Sequence, residues 1–357
     1  MKISVVIAAE DPDVKTEEYI KSLIENKIED IIIVDKGCAG KAKKILERLK
    51  SLPVVTIIES RKSARESALK AAFKFLSENR PETDAAVCCA EDGRYSFAAI
   101  KECVRTFAEN PKSVILGKRA VSDEKLSLKT KIGSSVSGFL YRFALGIKLK
   151  DTGCSLRLIP SEYFGFFASL EGSEAGYETR MLSGIVNEKI PYEEALVEAP
   201  VKSPSLERGF KSLKKTIAVY SIVLAYFIKF ALSSVSSYLL DLGLYALVLY
   251  FVQGKLSVGA QVLVCTAVSR VISSLFNYTL NRKTVFKSTD NLAATTLRYY
   301  ILAVLKLAAS YALIYLFTDL LGITGFAQLI IKAVVDLVLF VFSFQFQRVW
   351  VFKNKKA

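Results

Sequence analysis

The feature that most constrains this chain is a change in composition near residue 216, where a charged sequence gives way to long apolar stretches. Four such stretches follow, over residues 227–252, 257–280, 297–321 and 323–346. Each provides the ~20 residues that a helix needs to cross the hydrocarbon core of a bilayer. The sequence therefore predicts a water-soluble domain over residues 1–215, a juxtamembrane helix or linker over 216–226, and an all-α domain of four transmembrane helices over 227–357.

The placement of the basic residues indicates that a membrane, rather than a nucleic acid, is the partner of this chain, whose formal net charge is +14. The basic residues gather beside the apolar stretches, as Arg282, Lys283 and Lys287 do after the second one. Such clusters are typical of segments that contact an anionic bilayer surface. Because positive residues mark the cytoplasmic side, we expect a multi-pass protein of the cell membrane with a cytoplasmic N-terminal domain and C-terminus.

The sequence contains no histidine, which excludes triads and dyads that use imidazole as a base and leaves Asp and Glu as the acid and base groups. Its six cysteines form no CxxC pair and have no spacing typical of zinc sites, so we expect reduced thiols. The apolar run at the N-terminus is short and is followed by acidic residues, so a cleaved signal is not expected.

Residues 1–200 alternate between short apolar runs and helical periodicity. The predicted strands are 2–8, 30–35, 53–59, 84–90, 112–117 and 194–199, and the predicted helices are 15–26, 39–51, 62–79 and 96–109. Strands that alternate with helices of this length predict an α/β domain with a mostly parallel, Rossmann-like sheet. In such sheets ligands bind at the carboxyl ends of the strands.

Acidic and basic residues follow most of the predicted strands. They are Glu10, Asp11, Asp35, Glu91, Asp92, Lys118 and Arg119. The solvation of strand ends explains any one of them, but together, at one edge of a sheet, they favour a site for a phosphorylated ligand.

The later half of this domain carries two longer motifs. Residues 117–119 read Gly-Lys-Arg, and residues 146–157 read Gly-Ile-Lys-Leu-Lys-Asp-Thr-Gly-Cys-Ser-Leu-Arg. They resemble the Gly-Ser-Arg and Gly-Leu-x-x-x-Asp-Thr-Gly-Cys-Gly-Phe-Arg motifs of family-2 glycosyltransferases of the dolichyl/polyprenyl-phosphate sugar synthase kind. The resemblance covers residues 2–215. It implies a GT-A fold and the transfer of a sugar from a UDP- or GDP-linked donor to undecaprenyl or dolichyl phosphate, for polysaccharide or glycoconjugate synthesis.

The donor-binding half departs from the pattern of that family. The family's metal motif, Asp-x-Asp-Gly-Gln, holds Mg²⁺ or Mn²⁺ against the donor diphosphate through oxygen ligands, and it reads Ala-Glu-Asp-Gly-Arg at residues 90–94. One carboxylate is absent, and the amide position carries a cation. Two outcomes are open: Arg94, with Arg65 and Lys36, neutralises the diphosphate in place of the metal, or the site does not bind a nucleotide sugar productively.

The resemblance also implies roles for individual residues. Asp92 faces the donor diphosphate and is the motif carboxylate left for a metal, Asp35 faces the nucleoside, and Asp151 acts at the reacting centre as a base or by orienting a neighbour. The donor-binding residues are Glu10, Asp11, Asp35, Arg65, Glu91 and Arg94. The phosphate- and acceptor-binding residues are Lys118, Arg119, Arg157, Arg208 and Lys211. For Arg157, a structural ion pair with Asp151 is the alternative.

Residues 126–146 combine apolar and basic side chains, among them Phe139, Phe143 and Arg142. This composition predicts a helix that lies on an anionic membrane surface, or an amphipathic helix that packs on the core of the domain.

The membrane domain contains an internal repeat: the segment 276–286 recurs at 342–352, an offset of 66 residues. The repeat predicts two hairpins in a parallel repeat. With this repeated motif, the domain resembles the GtrA-like family. Ionisable residues inside spans tend to mark function; here they are Asp241, Arg270, Lys306, Lys332 and Asp336. Arg270 and Asp336 occupy equivalent positions, so they are predicted either to pair between helices or to line a path for a headgroup.

Three functions remain open from the sequence. The first is a polyprenyl-phosphate glycosyltransferase with its own membrane module. The second is a translocase for a lipid-linked sugar, in which a degenerate transferase domain only binds or delivers the substrate. The third is a non-catalytic scaffold for an assembly complex. Four spans are few for a transport path, which leaves a homo-oligomer open.

Overall fold

The computed structural model describes residues 1–60, 67–120, 128–151, 153–171, 174–198, 213–317 and 326–352. The chain divides into two compact units, Met1–Val223 and Leu224–Ala357.

The first unit is built on one seven-stranded sheet of order β3-β2-β1-β4-β6-β5-β7. Its strands are β1 (Ile3–Ala9), β2 (Ile31–Asp35), β3 (Val55–Glu59), β4 (Ala85–Ala90), β5 (Val114–Ala120), β6 (Arg157–Pro160) and β7 (Tyr192–Glu198). All neighbouring strands are parallel except β6, which runs antiparallel to β4 and to β5. The predicted α/β fold with a mostly parallel sheet is confirmed.

The central strands are buried on both faces, as their continuous apolar sequences predict. Consecutive residues of β1, from Val5 to Ile7, are 0% exposed, and so are Ile31–Val34 of β2. A strand with one solvated face would instead alternate between buried and exposed side chains. The polar residues that follow these strands therefore leave an apolar core and enter the loops at the sheet edge.

Seven helices of the described residues belong to this unit. They are α1 (Val14–Glu25), α2 (Gly40–Lys50), α3 (Ala68–Asn79), α4 (Phe97–Glu109), α5 (Leu128–Ala144), α6 (Phe164–Ser169) and α7 (Glu174–Asn187). A capping box between Asp13 and Thr16 begins α1, satisfying two of the backbone N–H groups that a helix start leaves unpaired. This cap fixes the end of the short loop that follows β1.

Two strands differ from the sequence prediction in a way that matters for the site. β6 was not predicted: it is only four residues long, starts with an arginine and ends with a proline, so it lacks the pattern by which strands are recognised. β5 continues to Ala120, so Lys118 and Arg119 lie within the strand instead of after it. Because successive side chains of a strand point to opposite faces, Lys118 and Arg119 do not face the same space.

The second unit contains the helices that were predicted to cross a membrane. They are α8 (Leu213–Val252), which begins in the first unit, α9 (Val258–Leu280), α10 (Leu292–Tyr315) and α11 (Phe326–Phe346). All four are long and apolar enough to span a bilayer. α10 begins five residues before the predicted position, because the Asn291 side chain caps it by accepting a hydrogen bond from the N–H of Ala294 at 3.1 Å.

The two copies of the sequence repeat meet inside this unit. Asn281 and Gln347 are equivalent positions, and the Asn281 amide donates to Gln347 Oε1 at 3.1 Å. Each of them begins a π-helical turn, Asn281–Val285 after α9 and Gln347–Val351 after α11. Both amides are buried, at 0% and 5% exposure. Equivalent residues that contact each other lie close to an axis of local two-fold pseudosymmetry.

Aromatic contacts follow the same pseudosymmetry. The equivalent residues Phe286 and Phe352 stack with ring centroids 5.3 Å apart. Exchanging the repeats converts the Tyr278–Phe352 contact into Phe344–Phe286, and the two centroid distances are 5.7 and 5.9 Å. The repeated motif therefore forms the interface between the two hairpins.

Candidate functional site

The carboxyl ends of β2, β1 and β4 lie side by side and place three acidic loops at one sheet edge. Ala9 pairs with Asp35 across β1 and β2, and Ala8 pairs with Ala90 across β1 and β4. The residues that follow these strands therefore converge, as predicted for a mostly parallel sheet.

Glu91 joins two of these loops. Its Oε2 accepts a hydrogen bond from the backbone N–H of Glu10 at 2.8 Å, and its Oε1 lies 3.4 Å from that of Asp11. Burial raises the pKa of Glu91, and these two N–H groups oppose the rise. The side chain of Glu10 pairs with Lys36 at 3.0 Å. The Glu91 carboxylate is thus occupied in holding the loop after β1, although it was predicted to bind the donor.

Asp35 closes the turn after β2. Its Oδ1 accepts hydrogen bonds from the N–H groups of Gly37 at 2.8 Å and Cys38 at 2.7 Å. Burial alone would raise the pKa of Asp35, but the hydrogen bonds from Cys38 and Gly37 outweigh it and the pKa is lowered. Asp35 is therefore an anion at the sheet edge whose orientation is set by backbone donors.

Asp92 forms a two-pronged ion pair with Arg94. Arg94 Nε donates to Asp92 Oδ1 at 2.7 Å and lies 2.9 Å from Oδ2, and Nη2 also donates to Oδ2. The turn requires the residue between them to be glycine: Gly93 has φ +63°, and a Cβ there would lie 3.1 Å from the ring of Tyr19. Burial opposes ionisation of Asp92, but the hydrogen bond from Arg94 lowers its pKa overall.

These contacts do not fit the divalent metal that the family motif implies. Mg²⁺ and Mn²⁺ need unprotonated oxygens pointing at one position. Both oxygens of Asp92 already accept hydrogen bonds from a guanidinium cation, and both oxygens of Glu91 face backbone N–H groups. Among the described residues, no group of three or more His, Cys, Asp or Glu side chains is arranged to hold a metal ion.

Asp151 and Arg119 form a second pair of the same kind. Arg119 Nε donates to Asp151 Oδ2 at 2.6 Å and Nη2 donates to Oδ1 at 2.8 Å. The backbone N–H groups of Arg119 and Gly153 add further bonds at 3.2 and 3.1 Å. Burial would raise the pKa of Asp151, but the bonds from Arg119 outweigh it and lower the pKa. Of the two predicted roles, this geometry favours orienting a neighbour over acting as a base.

Tyr95 connects the loops that carry these two ion pairs. Its hydroxyl accepts a hydrogen bond from the backbone N–H of Ser155 at 3.0 Å and lies 3.5 Å from Cys154 Sγ. Tyr95 is 2% exposed, so the contact is shielded from water. The sequence analysis missed this residue; its signal was an aromatic side chain directly after the acidic turn, where solvated loops rarely place one.

Arg157 is held away from Asp151, so the predicted alternative of an Arg157–Asp151 ion pair is wrong. Its guanidinium, 4% exposed, donates to Glu178 Oε2 and to the Glu178 carbonyl, both at 3.1 Å. The partner of Asp151 is Arg119, because β5 and the loop before β6 bring those two together.

Three predicted binding residues, Arg65, Arg208 and Lys211, lie outside the described residues. Lys118 is half-buried in β5. Asp11 lies on the rim of a groove of about 1070 Å³ between the start of α1 and α2, which Lys41, Lys44 and Arg48 also line. The structure therefore places acids and bases of the predicted donor site at one edge, and their individual roles stay predictions.

Gly117 sets how closely β5 approaches the loop of the second ion pair. A Cβ at this position would lie 2.8 Å from Cys154 Sγ and 3.0 Å from the Leu156 carbonyl oxygen. We expect Gly117→Ala to lower the free energy of unfolding of the first unit by about 1–3 kcal/mol, because overpacking forces neighbours to move. Thermal unfolding of the purified chain, followed by the exposure of its buried thiols, measures this. Gly165→Ala is the control, since a Cβ there meets no atom within 4 Å; an equal loss in both variants would contradict the argument.

Helix α5 exposes apolar side chains next to its buried ones. Val136 is 46% and Phe139 is 65% exposed, whereas Tyr141 and Ala144 are buried at 5% and 1%. Phe139 stacks on Phe143 at a centroid distance of 5.9 Å. One face of the helix therefore packs on the domain, as the alternative interpretation predicted, and another exposes Phe139 beside the half-buried Phe143.

The charged residues of the membrane helices pair within each repeat. Asp241 of α8 pairs with Arg270 of α9 at 3.6 Å. In the second repeat, Asp336 of α11 pairs with Lys332 and accepts a hydrogen bond from Ser310 at 3.0 Å. The predicted pair between Arg270 and Asp336 is wrong, because each finds an opposite charge in its own hairpin.

The charged side chains of these ion pairs are more exposed than is usual in membrane-spanning helices. Near the middle of their helices, the side chains of Arg270 and Asp336 are 70% and 50% exposed, and Lys332, one turn before Asp336, is 45% exposed. Charge at such depth is costly next to lipid tails. Lys306 also interacts electrostatically with Asp336.

Comparison with known proteins assigns the membrane domain. Residues 229–352 match the family described as GtrA/DPMS, transmembrane domain, which confirms the GtrA-like prediction. No curated protein matches the chain. Several solved structures are similar to this chain. Mannosyl-3-phosphoglycerate synthase from Rubrobacter xylanophilus is 11% identical, with 63% of this chain and 72% of that chain covered and a TM-score of 0.43.

Two further structures are also similar to this chain. Residues 1–349 of TarS from S. aureus are 12% identical, with 98% of this chain and 92% of that chain covered and a TM-score of 0.36. The 4-diphosphocytidyl-2C-methyl-D-erythritol synthase from Anaerococcus prevotii is 10% identical, with 61% of this chain and 96% of that chain covered and a TM-score of 0.34.

Proposed function

We propose that this chain is a membrane-bound glycosyltransferase that moves a sugar from a UDP- or GDP-linked donor to a polyprenyl phosphate, such as undecaprenyl or dolichyl phosphate. One observation carries the proposal: the same chain contains a match to the GtrA/DPMS transmembrane domain and an α/β domain. At the sheet edge of the α/β domain, ionised acids lie next to arginines. A domain tethered to a bilayer meets lipid substrates at high local concentration.

The reaction requires little acid–base chemistry. An oxygen of the lipid phosphate forms a bond to the anomeric carbon of the sugar, and the bond from that carbon to the donor diphosphate breaks. The nucleoside diphosphate leaves with the electron pair. Because the lipid phosphate is already anionic at neutral pH, catalysis rests on positioning and on stabilising negative charge. This agrees with a site whose carboxylates hold arginines instead of accepting protons.

The location that we propose follows from the distribution of charge. Arg282 and Lys283 lie in the π-helical turn after α9, and Arg348 lies in the equivalent turn after α11. Positive residues at equivalent ends favour the cytoplasmic side for both. The N-terminal domain would then face the cytoplasm, where nucleotide sugars are made. The exposed Phe139 of α5, beside the half-buried Phe143, would contact the lipid surface.

A second function, translocation of a lipid-linked sugar, is favoured by the charged pairs of the membrane helices. Arg270 and Asp336 lie near the middle of their helices, and their pairs with Asp241 and Lys332 are partly exposed, which suits a polar headgroup passing the bilayer. In this alternative the α/β domain delivers the substrate. The same exposed charges also suit a second copy of the chain, and a scaffold with neither activity remains the third possibility.

The test is sugar transfer by the purified full-length chain in lipid nanodiscs. Radiolabelled UDP- and GDP-sugars are offered with undecaprenyl or dolichyl phosphate, with either Mn²⁺ or EDTA. We expect labelled lipid from at least one pairing, and a loss of about 10-fold or more in Asp35→Ala, which removes a charged hydrogen-bond acceptor. Glu102→Gln, in an exposed pair on α4, is the control and should retain activity.

Folded protein that makes no labelled lipid from any pairing would contradict the transferase proposal. Movement of a preformed lipid-linked sugar between the leaflets, measured in liposomes of the same preparation, would then support translocation. If the chain shows neither sugar transfer nor translocation, the scaffold function is the one that is left.

A further inference from the structure

The two ion pairs at the sheet edge share one design. Arg94 binds Asp92, and Arg119 binds Asp151, in each case through Nε and Nη2. A guanidinium group carries five N–H donors, so each arginine keeps its Nη1 donors beyond those used by the carboxylate. In the described part of the chain, no further hydrogen-bond acceptor contacts these two guanidinium groups.

The two arginines belong to loops that are joined directly. Arg94 precedes Tyr95, whose hydroxyl binds the Ser155 N–H at 3.0 Å. Asp151, the partner of Arg119, begins the loop that contains Ser155, and a Cβ on Gly153 would lie 3.0 Å from Arg119 Nη2. The hydrogen bond with Asp92 raises the pKa of Arg94, while burial and the positive charge of Arg119 oppose that rise. The Tyr95–Ser155 hydrogen bond and the close approach of Gly153 to Arg119 thus bring the loops of the two arginines together, and the electrostatic interaction between the two cations agrees with this.

The carboxylates of Asp92 and Asp151 offset the repulsion between the two arginines and hold their guanidinium groups in place. The side chains of Arg94 and Arg119 are 20% and 8% exposed. Two neighbouring guanidinium groups without counterions would repel each other, and Asp92 and Asp151 cancel that repulsion. Because the arginines are already held, binding an anion would cost little side-chain entropy.

We propose that Arg94 and Arg119 together form a metal-independent clamp for a phosphate or diphosphate group, with Asp92 and Asp151 as positioning residues. The planar guanidinium matches two oxygens of one phosphate, and a pair of guanidinium groups supplies the two positive charges that a divalent cation would bring. The clamp deepens the proposed function on which it rests. The phosphate can come from the nucleotide donor or from the lipid acceptor, and the experiment separates these sources.

The experiment measures binding to the full-length chain in nanodiscs by calorimetry. UDP, GDP and inorganic pyrophosphate represent the donor, and farnesyl phosphate represents the acceptor, each in EDTA and in Mn²⁺. We expect the wild type to bind at least one of them equally in EDTA and in Mn²⁺. Arg94→Gln and Arg119→Gln should each weaken that binding in EDTA by about 10- to 100-fold, as expected for the loss of charged hydrogen bonds.

Two more variants separate the clamp from a merely structural role. Arg94→Lys keeps the charge but not the two-pronged geometry, so it should bind more weakly than the wild type and more tightly than Arg94→Gln. In Arg94→Gln the Asp92 carboxylate is released, so Mn²⁺ should now increase the affinity, which it does not do in the wild type. Arg105→Gln, in an exposed pair on α4, is the matched control and should bind normally.

Several results would overturn the clamp. Wild-type binding that disappears in EDTA would show that a cation is required, and unchanged binding in Arg94→Gln and Arg119→Gln would show that neither arginine takes part. Failure of folded wild-type protein to bind any of the four compounds would have the same consequence. If pyrophosphate or UDP binds in EDTA while no sugar is transferred, the clamp stands and the proposed reaction fails.

Discussion

Replacing Arg119 with methionine is expected to lower the free energy of unfolding of the first unit by about 3–5 kcal/mol. The substitution leaves the Asp151 carboxylate, whose side chain is 16% exposed, with two backbone N–H groups as its hydrogen-bond partners among the described residues. Breaking a buried ion pair from one side costs more than replacing both partners, because an uncompensated charge remains. The double variant Arg119→Met with Asp151→Leu should therefore recover most of the loss.

Thiol labelling measures this effect in a urea titration. Cys103 and Cys154 are 0% and 5% exposed, so maleimide reacts with them once the first unit unfolds, and mass spectrometry locates the label. Arg105→Met is the control: its pair with Glu102 is exposed, and such pairs contribute about 0–1 kcal/mol. A loss in Arg119→Met no larger than in Arg105→Met would contradict the importance assigned to the buried pair.

The pH dependence of the free energy of unfolding is an independent test of the Arg119–Asp151 ion pair. The folded state holds the pKa of Asp151 below its ordinary value of 3.8, through the hydrogen bonds from Arg119 that outweigh burial. A lowered carboxyl pKa contributes stability that is present above the unfolded-state value and is lost as the pH falls through the folded-state value. The wild type should therefore lose stability below about pH 4 more steeply than Arg119→Met does.

The second large effect is expected at the pseudosymmetry axis of the membrane domain. There, Asn281→Asp should lower the free energy of unfolding of the domain by more than about 3 kcal/mol. The Asn281 amide donates to Asn277 Oδ1 at 2.8 Å and to Gln347 Oε1 at 3.1 Å. Aspartate has no donor, and its charge would face the Asn277 oxygen. That oxygen cannot turn away, because it also accepts a hydrogen bond from Tyr299 at 2.9 Å and the Asn277 amide donates to Ser237 at 3.1 Å.

The equivalent change in the other repeat is a matched control. In Gln347→Glu the new carboxylate can still accept from the Asn281 amide, and the Ser343 hydroxyl can turn to donate to it. This variant introduces the same charge at the same axis, and we expect it to cost less than about half as much. Maleimide labelling of Cys265, which is 0% exposed, during titration with SDS compares the two. Equal losses would show that burial of charge, and not the direction of the hydrogen bonds, decides the cost.

Much of the architecture was predictable because it depends on local composition. The four long apolar stretches correspond to α8–α11, and the alternating pattern of residues 1–200 corresponds to the mostly parallel sheet. The 66-residue repeat marked Asn281 and Gln347 as equivalent. Short elements were harder: β6 has four residues and owes its place to β4 and β5 on either side, which no local pattern records.

The candidate site was predictable as a location and not as a set of contacts. The strand ends identified the edge where Asp35 and Asp92 lie, and the resemblance of residues 146–157 to a glycosyltransferase motif pointed to Asp151. The partner of each acid depends on which loops meet, so Arg119 was not recognised as the partner of Asp151, and Tyr95 was not recognised as the connection between two loops.

The sequence by itself determined that the chain combines an α/β domain with four spans and that the acids follow the strands, because hydrophobic periodicity and apolar length act over neighbouring residues. Only the tertiary structure decided that Arg94 and Arg119 form ion pairs with the carboxylates of Asp92 and Asp151. It also decided that Arg270 and Asp336 each form an ion pair within their own hairpin. An ion pair depends on distances of a few ångströms between side chains. Those distances are set by how strands, loops and helices pack, and not by their order along the chain.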